Sequence, residues 1–514
     1  MKYRKLSLAF AAWLFCFAAA HAEIFKEVED KETDGKHLYE ACLTLHPAPE
    51  MVPAMKYRLL TEPAYLVNRD ANIHYLKAGG FFLSFGAQKE LRKKYNETEK
   101  YEESENPKER CKYIGNWCGA DPDDLPLEEV KKTLKLLGFQ EQELEEAAKC
   151  RFADFGHKDV FAMEDPFRYL LPEVQSMREL ARWQAVRCKV AIREGRLDDA
   201  IEILRQQYMM SMHLEQDVFI VSYLVGIAIG GIADEDLLYL IQEPNCPSLY
   251  WALAAIPRPM SDPQLTTFSE KRMCSSYFPY HEKLRDPNSH FSEEFWPMYA
   301  DEFTQKTLSA LFAYHGPPSS GNKKIAKRSR AATTAYVILA YPKAKRYLIE
   351  DLKLDRQKVE SFPPVRVVAM ATSFAFEDLF DLNAKATLLP PQQSMALRGE
   401  IDRKNKDSLK RIGLLAALPN TFACAFLAYH NAVIRQEQNF NISQTLEALR
   451  IHAYNHDGKL PESLENMYPP AMKDPFTGKH FPYRLEDGKA ILDTVCIPGY
   501  HRRLIIEMKP IPKK

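Results

Sequence analysis

The fold is decided by the stretch Val174–Glu243, which reads VQSMRELARWQAVRCKVAIREGRLDDAIEILRQQYMMSMHLEQDVFIVSYLVGIAIGGIADEDLLYLIQE. Apolar residues recur in it at helical spacing, and charged residues fill the opposite face. They are Met177, Ala181, Ala185, Cys188 and Ile192 in the first helix and Leu197, Ala200, Ile201, Leu204 and Tyr208 in the second. Gly195 breaks the pattern between them, so the sequence predicts a helical hairpin that turns at this glycine.

A third helix is predicted after Asp217, because the run from Val218 to Ala233 carries no charge. At a rise of about 1.5 Å per residue, this run is shorter than the roughly 30 Å core of a bilayer. It therefore indicates a buried central helix rather than a membrane span. Gly226 and Gly230 lie four residues apart in it. This spacing lets a neighbouring helix approach closely, in a membrane or in a soluble core.

The turn of the hairpin resembles the turn between the helices of a tetratricopeptide repeat. The likeness lies in Ala191–Glu202, AIREGRLDDAIE, with Gly195 at the turn and Ala200 at the close helix crossing. It covers one hairpin, without a clear recurrence at the repeat period of about 34 residues. The resemblance implies a mainly α fold, a helical-hairpin array whose concave surface suits peptides or partner proteins.

The first residues are typical of a secretory signal peptide. Lys2, Arg4 and Lys5 precede an apolar run, and Ala20-His21-Ala22 fits a signal peptidase site. We expect residues 1–22 to be removed and the protein to be exported across the inner membrane, to the periplasm or outside the cell. The remaining chain holds 66 basic and 70 acidic side chains. This balance gives no reason to expect a nucleic acid partner.

The cysteines do not form a disulfide scaffold, since nine of them, an odd number, are spread over the chain after the signal. Cys111 and Cys118 are the first candidates for a local disulfide. Cys188 lies on an apolar helix face and is expected to be part of the core.

Composition divides the chain into consecutive segments. They are the signal peptide 1–22, an N-terminal mainly helical region 23–165, a central helical-hairpin domain 166–315, a second helical block 323–440 and an α+β module 441–514. The segment His315–Asn322, HGPPSSGN, is the predicted linker. The second block opens with five cations, Lys323, Lys324, Lys327, Arg328 and Arg330. They indicate a solvated helix face or a contact with an anionic envelope surface.

The last part of the chain changes from helical to strand periodicity. A long apolar helix is predicted over Ile412–Gln438 with an interruption at Pro419, and Asn441-Ile-Ser443 is expected to cap the next helix. Short strands are predicted at Phe481–Leu485 and Ala490–Val495.

Two phrases in this module, His452–Pro461 (HAYNHDGKLP) and Asp474–Tyr483 (DPFTGKHFPY), resemble the globular end of type II secretion pseudopilins. The resemblance implies a helix packed on a small antiparallel sheet and a role in envelope or secretion assembly. The methylated apolar N-terminal helix of pseudopilins and its processing site are missing, so polymerisation into a pseudopilus does not follow.

The whole chain resembles a family of long exported bacterial proteins. The phrases that carry the likeness are Pro47–Glu50 (PAPE), Ala54–Leu60 (AMKYRLL), Met177–Ala181 (MRELA), Leu249–Leu253 (LYWAL), Ile256–Pro259 (IPRP) and Tyr341–Arg346 (YPKAKR). This resemblance implies a fold and a destination, but no activity.

His452 and His456 are the candidate metal ligands. Their spacing near a helix end lets two imidazoles share one metal ion, and Asp457 and Asp474 could add oxygen ligands. The alternative is a pair of exposed histidines that the helix dipole favours. No motif indicates a cofactor.

Other signatures each lack a required residue. His281–Arg285 (HEKLR) has Arg where a zinc-protease helix needs its second His, and Asp154-Phe-Gly156 stands without the other kinase motifs. The acidic loop Asp121, Asp123 and Asp124 could hold calcium but lacks the ligand order of an EF-hand.

The sequence therefore predicts an exported, mainly helical scaffold or interaction protein whose partner is a protein or peptide. It would meet a membrane only through its cleaved signal or through a partner. Two alternatives stay open, a metal-assisted hydrolase using His452 and His456, and an envelope or secretion-assembly component. The oligomeric state is not indicated.

Overall fold

The computed structural model describes residues 24–28, 37–81, 85–162, 171–276, 280–300, 302, 323–495 and 500–511. The predicted signal peptide 1–22 and linker 315–322 lie outside these ranges. The protein is mainly helical, with 61% helix and 9% strand, so the predicted mainly α class is confirmed. In the described ranges, no helix is long and apolar enough to cross a bilayer.

The helices are α1 Asn72–Leu76, α2 Phe85–Thr98, α3 Pro107–Arg110, α4 Leu127–Leu136, α5 Phe139–Ala148, α6 Pro172–Arg193, α7 Leu197–Glu215, α8 Ile220–Leu240, α9 Tyr250–Ala254, α10 Pro263–Ser276, α11 His281–Arg285, α12 Lys323–Arg346, α13 Arg356–Glu360, α14 Pro364–Thr387, α15 Pro391–Ile412 and α16 Ala417–Asn455. The strands are β1 Lys26–Val28, β2 His37–Leu45, β3 Val67–Asp70, β4 Cys150–Phe152, β5 Tyr483–Glu486, β6 Lys489–Val495 and β7 Tyr500–Met508.

The chain forms two compact units, and each unit is discontinuous in sequence. Of the described residues, unit 1 holds 158–162 and those between Thr267 and His430, and unit 2 holds the others. The predicted segments are consecutive along the chain, whereas the units are not. The segment boundaries therefore stay predictions.

In unit 2, the two helices predicted on either side of Gly195 are α6 and α7. Gly195 has φ +70°, the left-handed conformation that glycine adopts without strain. The tetratricopeptide-like array is not confirmed. Every residue of α6 from Trp183 to Ile192 is buried, and so is every residue of α7 from Gln206 to Ser211. These helices form a core and do not present an open concave face.

Helix α8 runs from Ile220 to Leu240, so it extends beyond the uncharged run that ends at Ala233. The acids that follow this run are buried with partners. Tyr208 Oη donates to Asp234 at 2.8 Å, and Lys189 Nζ donates to Asp236 at 3.1 Å. Charges that are satisfied in this way do not end a core helix.

The larger sheet has the strand order β1-β2-β7-β6-β5. Strands β5, β6 and β7 are antiparallel, whereas β2 runs parallel to β7 from the pair His37 and Tyr500 to the pair Leu45 and Met508. The sheet is therefore not confined to residues 441–514. The mainly helical interpretation of residues 23–165 missed β2, although Ala41, Leu43 and Leu45 alternate as a half-buried strand requires.

Helix α16 is continuous, and Asn441 is not an N-cap. Its Nδ2 donates to the Lys473 carbonyl oxygen and its Oδ1 accepts from Arg258 Nε, both at 2.9 Å. The side chain is engaged by neighbouring segments and leaves the helix unbroken. Pro419 lies in the first turn of α16, where its missing N–H has no helical partner to lose.

The local disulfide suggested for Cys111 and Cys118 is not formed, because Cys118 is a free thiol. Burial raises the pKa of Cys118 to about 12, which keeps it unreactive. Cys111 packs in a core cluster with Trp117 and Trp183. Cys188 is fully buried, as the sequence predicts.

Candidate functional site

His452 and His456 lie at the end of α16, and their rings stack on each other. The ring centroids are 3.9 Å apart, and the planes differ by 12°. His456 Nδ1 donates to the His452 carbonyl oxygen at 2.8 Å. Burial lowers the pKa of His452, and the neighbouring His456 lowers it further. The structure thus brings the two predicted metal ligands together.

Their geometry does not suit one shared metal ion. The lone pair of an imidazole nitrogen lies in the ring plane, so a metal at about 2.0–2.1 Å from both nitrogens has to lie in both planes. Two nearly parallel, stacked planes do not meet at such a point. Asp474 is buried and accepts from Gln438 Nε2 at 3.1 Å and from the Phe476 amide at 2.9 Å. Among the described residues, no three His, Cys, Asp or Glu side chains gather as metal ligands would.

An arginine occupies the acidic loop Asp121–Asp124, which was a calcium candidate. Arg193 Nη1 donates to the carbonyl oxygens of Pro122, Asp123 and Leu125 at 2.8, 2.6 and 3.2 Å. Backbone carbonyls are among the oxygens that calcium takes as ligands, and here a guanidinium binds them. The loop is therefore fixed to α6 by a side-chain cation.

Gly226 and Gly230 serve close packing of α7 on α8. A Cβ on Gly226 would lie 2.8 Å from the Ser211 backbone oxygen, and one on Gly230 would lie 2.9 Å from Ser211 Oγ. Ser211 Oγ donates to the Gly226 carbonyl oxygen at 2.7 Å. Close packing between helices therefore accounts for both glycines.

Two buried carboxyl groups beside these glycines were missed by the sequence analysis. Glu215 accepts from Gln436 Nε2 at 2.6 Å, and Asp234 accepts from Asn439 Nδ2 at 2.9 Å. Burial raises the pKa of Glu215 to about 8 and that of Asp234 to about 6. Gln436 and Asn439 lie one turn apart on α16, so the two carboxyls hold α16 against α7 and α8. The only sequence signal was a run of acids, 234–236, in an apolar helix.

Other buried ionisable groups in unit 2 are also engaged by protein atoms. Lys189 pairs with Asp236, and their side chains are 1% and 0% exposed. His213 accepts from Tyr75 Oη at 2.6 Å and donates to the Cys150 carbonyl oxygen at 3.0 Å. Burial lowers the pKa of His213 to about 4, so this imidazole is neutral at pH 7. Groups enclosed in this way stabilise the fold and do not meet a substrate.

One contact in unit 1 pairs a serine with a histidine. Ser394 Oγ lies 2.5 Å from His430 Nε2. Burial lowers the pKa of His430 to about 4, and the Arg398 cation lowers it further. In a hydrolytic triad, a carboxylate rather than a cation lies beside the histidine and stabilises its charged form. Ser394 and His430 are also 3% and 6% exposed, which leaves no room for a substrate.

Large apolar side chains are exposed on segments of unit 2 that meet near Trp251. Val52, Tyr454 and Tyr468 are 88%, 53% and 67% exposed. Trp251 is half-buried, and its Nε1 donates to Glu50 Oε1 at 2.8 Å. We call Val52, Trp251, Tyr454 and Tyr468 the Trp251 surface.

Tyr250 packs against the segments that carry the Trp251 surface. Its ring contacts Trp251, with centroids 5.0 Å apart, and it packs with Ile451 and Met467. Ile451 lies one turn before the exposed Tyr454 in the chain, and Met467 directly precedes the exposed Tyr468. Tyr250 Oη also donates to the Pro470 carbonyl oxygen at 2.8 Å. Three separate segments of the chain are therefore anchored to one buried ring.

A buried ion pair fixes the same segments to α16. The side chains of Arg450 and Glu447 are 0% exposed and 2.6 Å apart. Arg450 donates to the carbonyl oxygens of His46 at 3.0 Å and Cys246 at 2.6 Å. Glu447 accepts from the Leu249 amide at 2.9 Å. Segments next to the Trp251 surface are therefore fixed by buried hydrogen bonds.

No family model matches the chain, and neither does any curated protein or solved structure.

Proposed function

We propose that the protein is an exported scaffold that binds a protein or peptide partner through the Trp251 surface. The observation that supports this is the exposure of Val52, Tyr454 and Tyr468 beside a tryptophan whose ring nitrogen is fixed. Trp and Tyr are enriched among the residues that dominate binding at protein interfaces. Contiguous apolar patches on a soluble protein mark interaction sites.

The buried hydrogen bonds of Arg450 and Glu447 beside the Trp251 surface support the same function. A partner that docks on ordered loops loses less conformational entropy than one that has to order them. Arg450 and Glu447 order the segments around His46 and Leu249 before any partner arrives. The Trp251 surface is thus preorganised for binding.

The two alternatives have less support. A hydrolase using His452 and His456 needs converging rings and a third ligand, and the described residues offer neither. An envelope or secretion-assembly component is favoured by one observation. Leu446 and Leu449 of α16 share a core with Leu492 and Leu504 of the antiparallel strands, the arrangement that the pseudopilin resemblance implies. Such a component needs a membrane-associated partner.

Site-specific photo-crosslinking tests the proposal. A photo-reactive phenylalanine analogue replaces Tyr468 in the full chain, produced in the cell that exports it. We expect a discrete adduct with one protein or peptide, because Tyr468 lies at the centre of the proposed contact. Adding Tyr454→Ser to the same chain should reduce the adduct, because it removes a neighbouring contact.

Tyr65 provides the matched control, since it is a tyrosine of unit 2 with 73% exposure outside the Trp251 surface. The analogue at Tyr65 should give no such adduct. Equal adducts at the two positions, or an adduct at Tyr468 that Tyr454→Ser leaves unchanged, would refute the proposed surface.

A further inference from the structure

Part of unit 1 carries an excess of positive charge. Residues 323–430 hold 19 Lys and Arg against 10 Asp and Glu, whereas the rest of the chain holds 50 against 60. The nearly neutral net charge of the chain is therefore the sum of a positive block and a negative remainder. Charge asymmetry of this kind indicates an anionic partner for the positive block.

The positive charge converges where α12 meets the end of α15. The Lys343 ammonium lies over Gly413, 2.9 Å from the place where a Cβ would stand. Arg411 lies over the Tyr347 ring, 5.4 Å from its centroid. Four exposed cations mark this corner, and they are Lys343, Arg346, Lys410 and Arg411.

Few acids neutralise this corner. Arg411 pairs with Asp351 at 3.3 Å. Lys343, Arg346 and Lys410 have no ion-pair partner among the residues described for unit 1. Three cations therefore face solvent with their charge uncompensated.

The same side of α12 exposes two large apolar residues. Ile338 and Leu339 are 65% and 67% exposed. Leu339, Lys343 and Arg346 follow one another at i, i+4 and i+7, so they share one face of the helix. The opposite side of α12, with Ala340, packs into the core of unit 1. The outer face of helix α12 therefore combines apolar side chains with cations.

We propose that this outer face docks on the surface of an anionic phospholipid bilayer. We call its residues Ile338, Leu339, Lys343 and Arg346 the α12 face. The cations contact phosphate headgroups, and the two apolar side chains enter the boundary between headgroups and acyl chains. The contact is peripheral, and it goes beyond the proposed function without resting on it.

The composition of the α12 face favours lipid over nucleic acid. Nucleic acid is held by cations together with aromatic rings that stack on bases. Ile338 and Leu339 offer no ring for stacking, and aliphatic side chains of this size gain from transfer to an apolar phase. An acidic protein remains the other anionic partner that the experiment has to distinguish.

Vesicle co-sedimentation of the full chain tests the proposal. Vesicles of phosphatidylglycerol mixed with phosphatidylcholine are compared with vesicles of phosphatidylcholine alone, at low and high ionic strength. We expect binding to the anionic vesicles only, weakened by salt. Each cation near an anionic membrane contributes about fivefold to the partition coefficient. Lys343→Gln with Arg346→Gln should therefore reduce binding by about 25-fold.

Two matched pairs in unit 2 serve as controls. Lys132→Gln with Lys135→Gln removes two exposed cations at the same spacing on α4, and Ile73→Ser with Leu76→Ser removes two exposed apolar residues of α1. Both should bind vesicles like the parent protein. Ile338→Ser with Leu339→Ser on the α12 face should reduce binding by about tenfold or more. Circular dichroism and thermal midpoints confirm that each variant is folded.

Three outcomes would overturn the proposal. The first is no binding of the parent to anionic vesicles. The second is an equal loss in the variants of the α12 face and in the controls. The third is a loss on removal of the cations with none on removal of Ile338 and Leu339, together with full competition by heparin, which would assign the α12 face to an acidic macromolecule. If the double charge variant fails to fold, Arg346→Gln alone should still reduce binding by about fivefold.

Discussion

Replacement of Glu215 by Gln should stabilise the protein at neutral and alkaline pH. Glu215 is fully buried between α7, α8 and α16; Gln436 Nε2 donates to its Oε1 at 2.6 Å, and Ser211 Oγ lies 2.9 Å from the same oxygen. Burial raises the pKa of Glu215, and the charge of Asp234 raises it further. Glutamine keeps the shape and the accepting oxygen but cannot ionise.

The magnitude follows from the pKa of Glu215, which burial raises from 4.5 to about 8. The folded protein therefore holds this proton where the unfolded chain has lost it. The stabilising contribution is complete below pH 4.5, decreases as the pH rises, and is lost above pH 8. A change of 3.5 pKa units corresponds to about 5 kcal/mol. The free energy of unfolding of Glu215→Gln should exceed that of the parent by about 3 kcal/mol at pH 7 and by about 5 kcal/mol above pH 8.

Urea denaturation at a series of pH values from 4 to 9 measures this difference. The free energy of unfolding of the parent should fall with pH relative to that of Glu215→Gln, and the two should coincide near pH 4. Glu179→Gln, at an exposed position of α6, should follow the parent throughout. Parallel profiles for the parent and Glu215→Gln would show that Glu215 is ionised in the folded protein, and the reasoning from burial would fail.

Three further predictions concern other groups. Arg450→Met leaves a buried carboxylate without its cation, so we expect a loss of about 3–5 kcal/mol in the free energy of unfolding; a loss under about 1 kcal/mol would contradict the buried ion pair. Gly226→Ala places a methyl group against the Ser211 carbonyl oxygen and should cost about 1–3 kcal/mol by overpacking, whereas Gly231→Ala, where nothing lies within 4 Å inside α8, should stabilise by up to about 1 kcal/mol in the same thermal melts. Elemental analysis should find the same metal content in the parent and in the double variant His452→Ala/His456→Ala, and stoichiometric zinc lost in the variant would restore the hydrolase alternative.

Local patterns predicted the central helices but not the contacts between them. The spacing of Met177 and Ala181 and the break at Gly195 were enough to place α6 and α7, because these signals depend on neighbours in the chain. A charge such as that of Asp234 is expensive in a core unless a partner lies opposite it. That partner, Tyr208, lies on another helix, and sequence spacing does not reveal it.

The candidate site shows the same limit. The spacing of His452 and His456 places the two rings near each other, but it does not indicate that they stack face to face. The Trp251 surface was not recognised, because Trp251 and Tyr468 are more than two hundred residues apart and their segments meet in the fold, at the cluster that contains Tyr250. A pattern within one element can predict a pair of ligands, whereas a surface made by several segments needs the fold.

The parallel pairing of β2 with β7 sets an order for folding. The contact between His46 and Lys509 joins residues 463 positions apart, so β2 leaves the ribosome long before its neighbour exists. Until β7 follows, the strand exposes an unpaired edge with alternating apolar residues, which is the kind of segment that aggregates. Unit 2 can close its sheet only after the chain between these strands has been synthesised. A chaperone that shields residues 37–45 during synthesis or transport would act at the stage when the protein is most vulnerable.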